Sequence, residues 1–327
     1  MNEDEIKLLV LDNGNKILVY QEEGLRDTIN IPNNYEISYF FAINDDSIFL
    51  FNKSMNHIDF YDVCRDSVFK VVDLPKDTIN NHFVEYRPSN SVNTRPYKSY
   101  YGMISIPLYY YSKTWSIQEH IRYMAESPTH IILNVGNIEN SFLIGRPPKW
   151  CSDINMKFLD RVWNGLEFSS VVLPIENDRF ILSHIFSDSI YIFNSNNTII
   201  DRIFLKSHYV KMPPPHTSET KLRDVDYVAV TPKYKKIIFD DKREVLYRIC
   251  EHGAFPEDDF KTQGNSNWSI IKYDMKTKKV KEYFFPGGYY NHSDVHLYGK
   301  GLIVSNKGYK NELYDKNNHS YTYFEFN

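Results

Sequence analysis

The densest chemistry in the chain lies near its C-terminal end, in His292-Ser293-Asp294-Val295-His296. Alternate side chains of an extended strand share a face, so His292, Asp294 and His296 are expected to project together. Two imidazoles and a carboxylate are ligands for zinc or another divalent metal. The competing reading is a polar turn entering a last strand, with His296 packed beside Leu297. Spacing leaves both open, because a metal site also needs neutral imidazoles held by partners from elsewhere in the chain.

A second group is Tyr247-Arg248 with Glu251 and His252. Arg248 interrupts the apolar run from Val245 to Ile249. A guanidinium there is costly unless it is paired or reaches an aqueous channel. Asp240 and Asp241, across a turn, are the expected partners in an internal ion pair. The functional alternative is a ligand site in which Arg248, with Tyr247 and His252 beside it, holds an anion or carboxylate. Glu257-Asp258-Asp259 is oxygen-rich enough for calcium, but its spacing matches no EF-hand, and a solvated loop is expected. Tyr100, Tyr101, Tyr109, Tyr110 and Tyr111 could stack on sugars or peptides, although strand packing is the first expectation for them.

Other chemistries lack their residues. The sequence contains no Gly-x-Ser-x-Gly elbow, and Gly136 and Gly145 belong to no phosphate-binding loop. Cys64, Cys151 and Cys250 are widely spaced and form no Cys-x-x-Cys, so neither a disulfide framework nor a cysteine zinc site is indicated. With a formal net charge of −4 and no basic stripe, a phosphate-driven nucleic-acid surface is not expected. The longest apolar runs, such as Ile48 to Phe51, are strand-sized and far short of a membrane span. The N-terminus, Met1-Asn2-Glu3-Asp4-Glu5-Ile6, shows no signal peptide. Taken literally that means a cytosolic protein, but a chain from which an export signal had been removed would read the same.

The elements that must position these residues repeat along the chain. Aromatic residues make up 16% of it, with 26 Tyr and 21 Phe, and flat rings favour pleated, half-buried surfaces. A polar turn recurs before a very apolar strand. Asp12-Asn13-Gly14-Asn15 precedes Ile17 to Tyr20, and Asn44-Asp45-Asp46 precedes Ser47 to Phe51. Phe186-Ser187-Asp188 precedes Ser189 to Phe193, and Asp240-Asp241-Lys242 precedes Val245 to Ile249. Asn, Asp and Gly tolerate the left-handed backbone of such turns. The strands that follow do not alternate: in Ile48-Phe49-Leu50-Phe51 both faces are apolar. They are too short for helices, so they must be covered on both sides by other sheets. Each is followed by a more polar strand, as Phe193 is by Thr198 to Leu205, and rising polarity is expected where outer strands meet solvent.

These features predict an all-β fold, a six-bladed β-propeller of four-stranded antiparallel blades. It is expected to form one domain over residues 1–327, with blades near 6–31, 37–75, 97–148, 167–206, 224–286 and 293–327. Short helical excursions are expected near 117–126 and 152–165. In the second, Ile154, Phe158 and Val162 recur at helical spacing and Gly165 is a stop. Pro213 to Thr220 reads as an exposed loop.

The strand–turn–strand phrases, above all Asp240-Asp241 before Val245-Leu246-Tyr247-Arg248-Ile249 and the later Trp268-Ser269-Ile270-Ile271-Lys272-Tyr273-Asp274, carry a resemblance. Over nearly its whole length the chain resembles the six-bladed β-propeller lipoproteins of unknown function common in Bacteroidetes. The resemblance implies export to the periplasm or cell surface and a lipid anchor, although the lipobox cysteine is absent from this sequence. It implies no activity and assigns no catalytic residue. The expected function is therefore a non-catalytic binding or scaffold role for a glycan, peptide or partner protein. The alternative is a metal-dependent hydrolase or lyase at the channel mouth, with a divalent metal on His292, Asp294 and His296. A cytosolic repeat scaffold is the third reading.

Overall fold

The computed structural model describes residues 8–12, 16–21, 24–31, 37–42, 47–52, 57–73, 76–79, 82–88, 97–98, 103–111, 127–134, 141–145, 170–176, 178–210, 231–253, 266–308, 310–314 and 320–326. Every regular element among them is a β-strand, and the strand pairings are antiparallel. The expected helical excursions near 117–126 and 152–165, and the loop at 213–220, lie outside the described residues.

The chain divides into two compact units. The first comprises Met1–Asn90, Leu108–Thr114 and Val135–Glu139; the second comprises Ser91–Pro107, Trp115–Asn134 and Asn140–Asn327. In the first unit β1 (Leu8–Asp12), β2 (Lys16–Gln21) and β3 (Gly24–Asn30) form a sheet in chain order. So do β4 (Ile37–Ala42), β5 (Ser47–Asn52), β6 (His57–Asp62) and β7 (Ser67–Asp73). Ile17 and Ile31 of the first sheet region pack with Ile48, Leu50 and Tyr61 of the second. The hairpin of β8 (Lys76–Ile79) and β9 (His82–Pro88) occupies a stretch that the sequence reading leaves between blades. Its charged residues and its proline hide its strand character.

Strand β10 (Tyr97–Lys98) pairs with the start of β11 (Met103–Tyr111). Residues Leu108–Tyr111 of β11 belong to the first unit, where they pair with β9. Met103–Pro107 belongs to the second, where it pairs with β12 (His130–Asn134), and β12 in turn pairs with β13 (Phe142–Ile144). Two four-stranded sheets follow in chain order. One is β14 (Ser170–Ile175), β15 (Arg179–His184), β16 (Ser189–Asn194) and β17 (Ile199–Phe204). The other is β18 (Lys233–Asp240), β19 (Val245–Glu251), β20 (Trp268–Asp274) and β21 (Val280–Phe285). A three-stranded sheet closes the series: β22 (Asn291–Tyr298), β23 (Gly301–Ser305) and β24 (Tyr321–Phe324).

Within the second unit the sheets stack in the order of the chain. Ile132 and Ile144 pack on Val172, Phe180, Leu182 and Phe193, one face of the β14–β17 sheet. The other face of that sheet, through Val171, Leu173, Ile181, Ile190 and Ile192, packs on Leu246, Cys250 and Ile271. The opposite face of the β18–β21 sheet, through Val245, Tyr247, Ile249 and Trp268, packs on Val295, Leu302 and Val304. Strand β19 is therefore apolar on both faces because it has a sheet on each. Even-numbered residues point to one and odd-numbered residues to the other, as the two-residue period of a strand requires. The last strands open to solvent, β7 with a strictly alternating pattern and β17 with five of six residues exposed. Asp66, Asp178, Asn197, Glu244 and Lys278 hold positive φ one or two residues before the next strand begins. Asp and Asn visit this left-handed region most easily among residues with a Cβ, which is why they punctuate the hairpins.

Candidate functional site

Strand β19 carries two buried charges on opposite faces. Arg248 lies on the face toward β14–β17 and is wholly buried. Its Nη1 donates to the Leu205 carbonyl (3.0 Å), and its Nη2 to the carbonyls of Ser187 (2.6 Å) and His184 (3.3 Å). Its guanidinium also lies 3.5 Å from the centre of the Tyr234 ring. Tyr234 in turn donates its hydroxyl to Asp188 (2.5 Å). Of the expected partners, Asp240 pairs with Arg243 at its own turn. Arg248 thus ties the β15–β16 turn and the end of β17 to the next sheet, and its charge is met by carbonyl dipoles and a ring face. Tyr247 points the other way, into the core beside Phe326. Arg248, Tyr247 and His252 therefore do not converge on one ligand.

His252 follows β19 and stands at the surface. Its ring stacks on Tyr209, with centroids 4.8 Å apart and planes 25° apart, and lies 5.6 Å from Phe284. Tyr209 and Phe284 are 47% and 45% exposed, so the three rings form an open aromatic platform. A polar chain holds it from behind. Ser269 donates its hydroxyl to Glu282 Oε1 (2.5 Å), so its oxygen must accept from His252 Nε2–H (2.9 Å). Glu282 also accepts from the Ser207 hydroxyl (2.5 Å) and the His208 backbone N–H (2.8 Å), which anchors the segment bearing Tyr209. Burial pulls the His252 pKa down to about 4 against the pull of Glu282 and Glu251. The imidazole is neutral at pH 7, with Nδ1 as its lone-pair nitrogen.

Glu251 lies on the face of β19 opposite Arg248. It stands directly across from Lys233 on β18 and Trp268 on β20, so the three side chains share a face. Lys235 joins them because the β18–β19 register shifts between Tyr234 and Lys236, leaving Lys235 as the extra residue of a bulge. Glu251 Oε2 is 3.3 Å from Lys235 Nζ and 3.5 Å from Lys233 Nζ, and Glu251 Oε1 accepts from the Ser266 hydroxyl (3.2 Å). His292 Nε2 approaches Oε1 at 3.8 Å. Burial alone would raise the Glu251 pKa, but the positive charges around it outweigh burial and hold it down at about 2. His292 acts most strongly among these, ahead of Lys233 and Lys235, and burial in turn pulls the His292 pKa down to about 4.

The His292-Ser293-Asp294-Val295-His296 segment is split by the backbone. Asn291 pairs with Ser305, yet Val295 already pairs with Val304, so residues 292–294 bulge from β22 and the alternation fails. His292 is buried and turns to Glu251 and Trp268. Asp294 instead meets His296 Nε2 (2.7 Å) and the Tyr321 hydroxyl (3.2 Å). Burial would raise the Asp294 pKa, but these contacts and Lys236 hold it at about 2. Among the described residues no group of three or more His, Cys, Asp or Glu side chains could hold a metal ion. The segment thus holds a buried histidine and a separate, half-buried Asp294–His296 hydrogen bond.

Sequence reasoning named Glu251 but missed Lys233, Lys235 and Trp268. The signal available was Lys233-Tyr234-Lys235-Lys236 at the head of an otherwise apolar strand. Glu257-Asp258-Asp259, Tyr100 and Tyr101 lie outside the described residues, as do the side chains of Tyr109, Tyr110 and Tyr111. The first unit holds a shallow cleft of about 230 Å3 lined by Asp27, Thr28, Ile29, Asn30, Val63 and Asp66. Its carboxylates are engaged locally, Asp66 by the Tyr61 hydroxyl and Asp27 by the Thr28 N–H.

Residues 150–283, which include the platform and the Glu251 cluster apart from His292 and Phe284, match the model of a domain of unknown function, DUF4221. The fold is similar to the crystal structure of a member of that family from Bacteroides vulgatus. That match has a TM-score of 0.67 and 13% identity, over 98% of this chain and 93% of that one. A protein of Bacteroides fragilis named as a candidate exported protein matches at a TM-score of 0.48 and 13% identity, over 91% of this chain and 76% of that one. No curated protein matches the sequence. The described residues include no helix long and apolar enough to cross a membrane.

Proposed function

We propose that the chain is a non-catalytic binding protein that holds the sugar ring of a glycan on the Tyr209–His252–Phe284 platform. The observation that carries this reading is the open ring stack backed by the Glu282–Ser269–His252 hydrogen-bond chain. Rings pinned from behind lose little freedom when a ligand stacks on them, which favours binding. His252 Nδ1 and the Tyr209 hydroxyl add polar groups beside the apolar faces, a combination suited to a ring with a flat carbon face and a rim of hydroxyls.

In this reading the serial sheets are the blades of a six-bladed propeller and the protein is exported. The serial stacking of sheets in chain order supports the ring. The resemblance to Bacteroidetes propeller lipoproteins supports export.

A glycan and peptide array probed with the wild type, Tyr209→Ala and Phe284→Ala is the test. Glycan binding is expected to weaken about tenfold in each variant, the scale of about 1–1.5 kcal/mol for one ring contact. Binding that both variants retain at full strength overturns the platform, and hits confined to peptides overturn the glycan. Fractionation of native cells tests location, with recovery in the cytosol counting against export.

A further inference from the structure

We infer that Glu282, from behind the aromatic platform, sets its specificity: through Ser269 it fixes His252 Nδ1 as a hydrogen-bond acceptor, so the bound sugar must present a hydroxyl donor there. Glu282 is in this sense a positioning residue, and the inference rests on the glycan reading of the platform.

The direction of each hydrogen bond follows from groups whose roles are fixed. Backbone N–H groups can only donate. The His208 N–H donates to Glu282 Oε2 (2.8 Å), and the Tyr209 and Val210 N–H groups donate to Ser207 Oγ (3.0 and 3.2 Å). Both lone pairs of the Ser207 oxygen are thereby taken, so its hydroxyl proton goes to Glu282 Oε1 (2.5 Å). A carboxylate has no proton to give, so Ser269, 2.5 Å from the same oxygen, must donate to it as well. Only a lone pair of Ser269 is then left for His252 Nε2 at 2.9 Å. Nε2 carries the ring proton, and because the ring is neutral at pH 7, Nδ1 carries the lone pair. Cys250, cross-strand from Ser269, donates its thiol to the Arg248 carbonyl (3.6 Å) and is too weak an acceptor to draw the Ser269 proton from a carboxylate.

The ring so oriented lies against Tyr209 and Phe284, the exposed rings on which a sugar stacks. A sugar hydroxyl can donate to Nδ1, whereas a methoxy group there sets two lone pairs against each other. Glu282→Gln reverses the polarity. Its amide oxygen must stay with the His208 N–H, which cannot turn, so its amide N–H groups face the two serine hydroxyls. The Ser269 proton is then released to His252 Nε2, and the ring proton moves to Nδ1.

The test is NMR of 15N-histidine-labelled protein at pH 7, with the His252 ring signals assigned by their loss in His252→Phe. A protonated ring nitrogen and a lone-pair nitrogen resonate far apart, so the tautomer is read directly. Wild type is expected to carry the proton on Nε2, and Glu282→Gln on Nδ1. Methyl β-D-glucopyranoside, methyl β-D-galactopyranoside and the mono-O-methyl ethers of each are then titrated against the same signals. One ether is expected to bind wild type about tenfold more weakly than its parent, and to bind Glu282→Gln within about twofold of it, the scale of one unpaired acceptor. If Glu282→Gln does not fold, the wild-type tautomer and ether series still decide. A wild-type proton on Nδ1, or ethers that all bind as well as their parents, overturns the inference and leaves the platform standing. So does folded Glu282→Gln with an unchanged tautomer or an unchanged ether penalty. No response to either parent sugar overturns the platform, and the specificity with it, even where the tautomer is as expected.

Discussion

Arg248 and Glu251 lie three residues apart on β19 and face different sheets. Around Arg248 the partners are main-chain carbonyls of a turn and a strand end, with one aromatic ring. These groups are fixed by the fold and carry no net charge, so the guanidinium serves as a rivet between sheets. Around Glu251 the partners are long side chains, two of them cationic, and buried donors remain unmet beside them among the described residues. Burial of charge alone therefore does not mark a site. The difference is whether the surrounding groups satisfy the hydrogen bonds, as they do far better at Arg248, where only Nε lacks an acceptor among the described residues.

The largest effect is expected at the rivet. Arg248→Met takes the guanidinium donors from the Leu205 and Ser187 carbonyls, leaves the His184 carbonyl with the Ser187 N–H alone, and removes the cation over Tyr234. A loss of about 3–5 kcal/mol of stability is expected in urea denaturation, because each orphaned acceptor keeps its desolvation cost. A loss below about 1 kcal/mol would mean that the carbonyls find water and that Arg248 is no rivet.

The Glu251 cluster should respond asymmetrically. Glu251→Gln removes the carboxylate that Lys233 and Lys235 both approach and is expected to destabilise by about 3 kcal/mol. Lys235→Met leaves Lys233 beside Glu251, so a smaller loss of about 1 kcal/mol or less is expected. Equal losses in the two variants, by the same denaturation assay, would show that Lys235 matters to the cluster as much as Glu251 does.

The third effect depends on pH. His130 and His292 are both buried, and burial pulls their pKa values down to about 3 and about 4. An unfolded histidine titrates near 6.5, so below that pH the unfolded chain binds protons that the folded chain refuses. Stability should therefore fall as pH drops from about 6.5 toward 4, by up to about 1.4 kcal/mol per pH unit for each histidine. Above pH 7 neither contributes any slope. His292→Asn should reduce the slope by about one histidine's share. An unchanged slope would place the titration elsewhere.

Much of the architecture was legible because strand periodicity is local. The two-faced apolar runs at Ile48–Phe51 and Val245–Ile249 implied cover on both sides, and for the second the structure supplies a sheet on each face. The Asp/Asn turns ending near Asp188 and Lys242 lead into β16 and β19 as expected. The site was less legible. Lys235 reaches Glu251 through a bulge, and another bulge turns His292 away from Asp294. A bulge reverses which face a residue occupies, and no residue type announces it, so reading by twos fails there.

Sequence alone determined the element type, the turn positions and the presence of a charge inside an apolar strand, because these follow from side-chain chemistry within a few residues. Only the tertiary structure decided what met those charges. The hydrogen-bond acceptors of Arg248 stand 43 to 64 residues away along the chain, and all are backbone carbonyls, which every residue possesses. Lys233, Trp268 and His292 come to Glu251 from three other strands. Register and bulges set those meetings, and both result from packing whole sheets against one another.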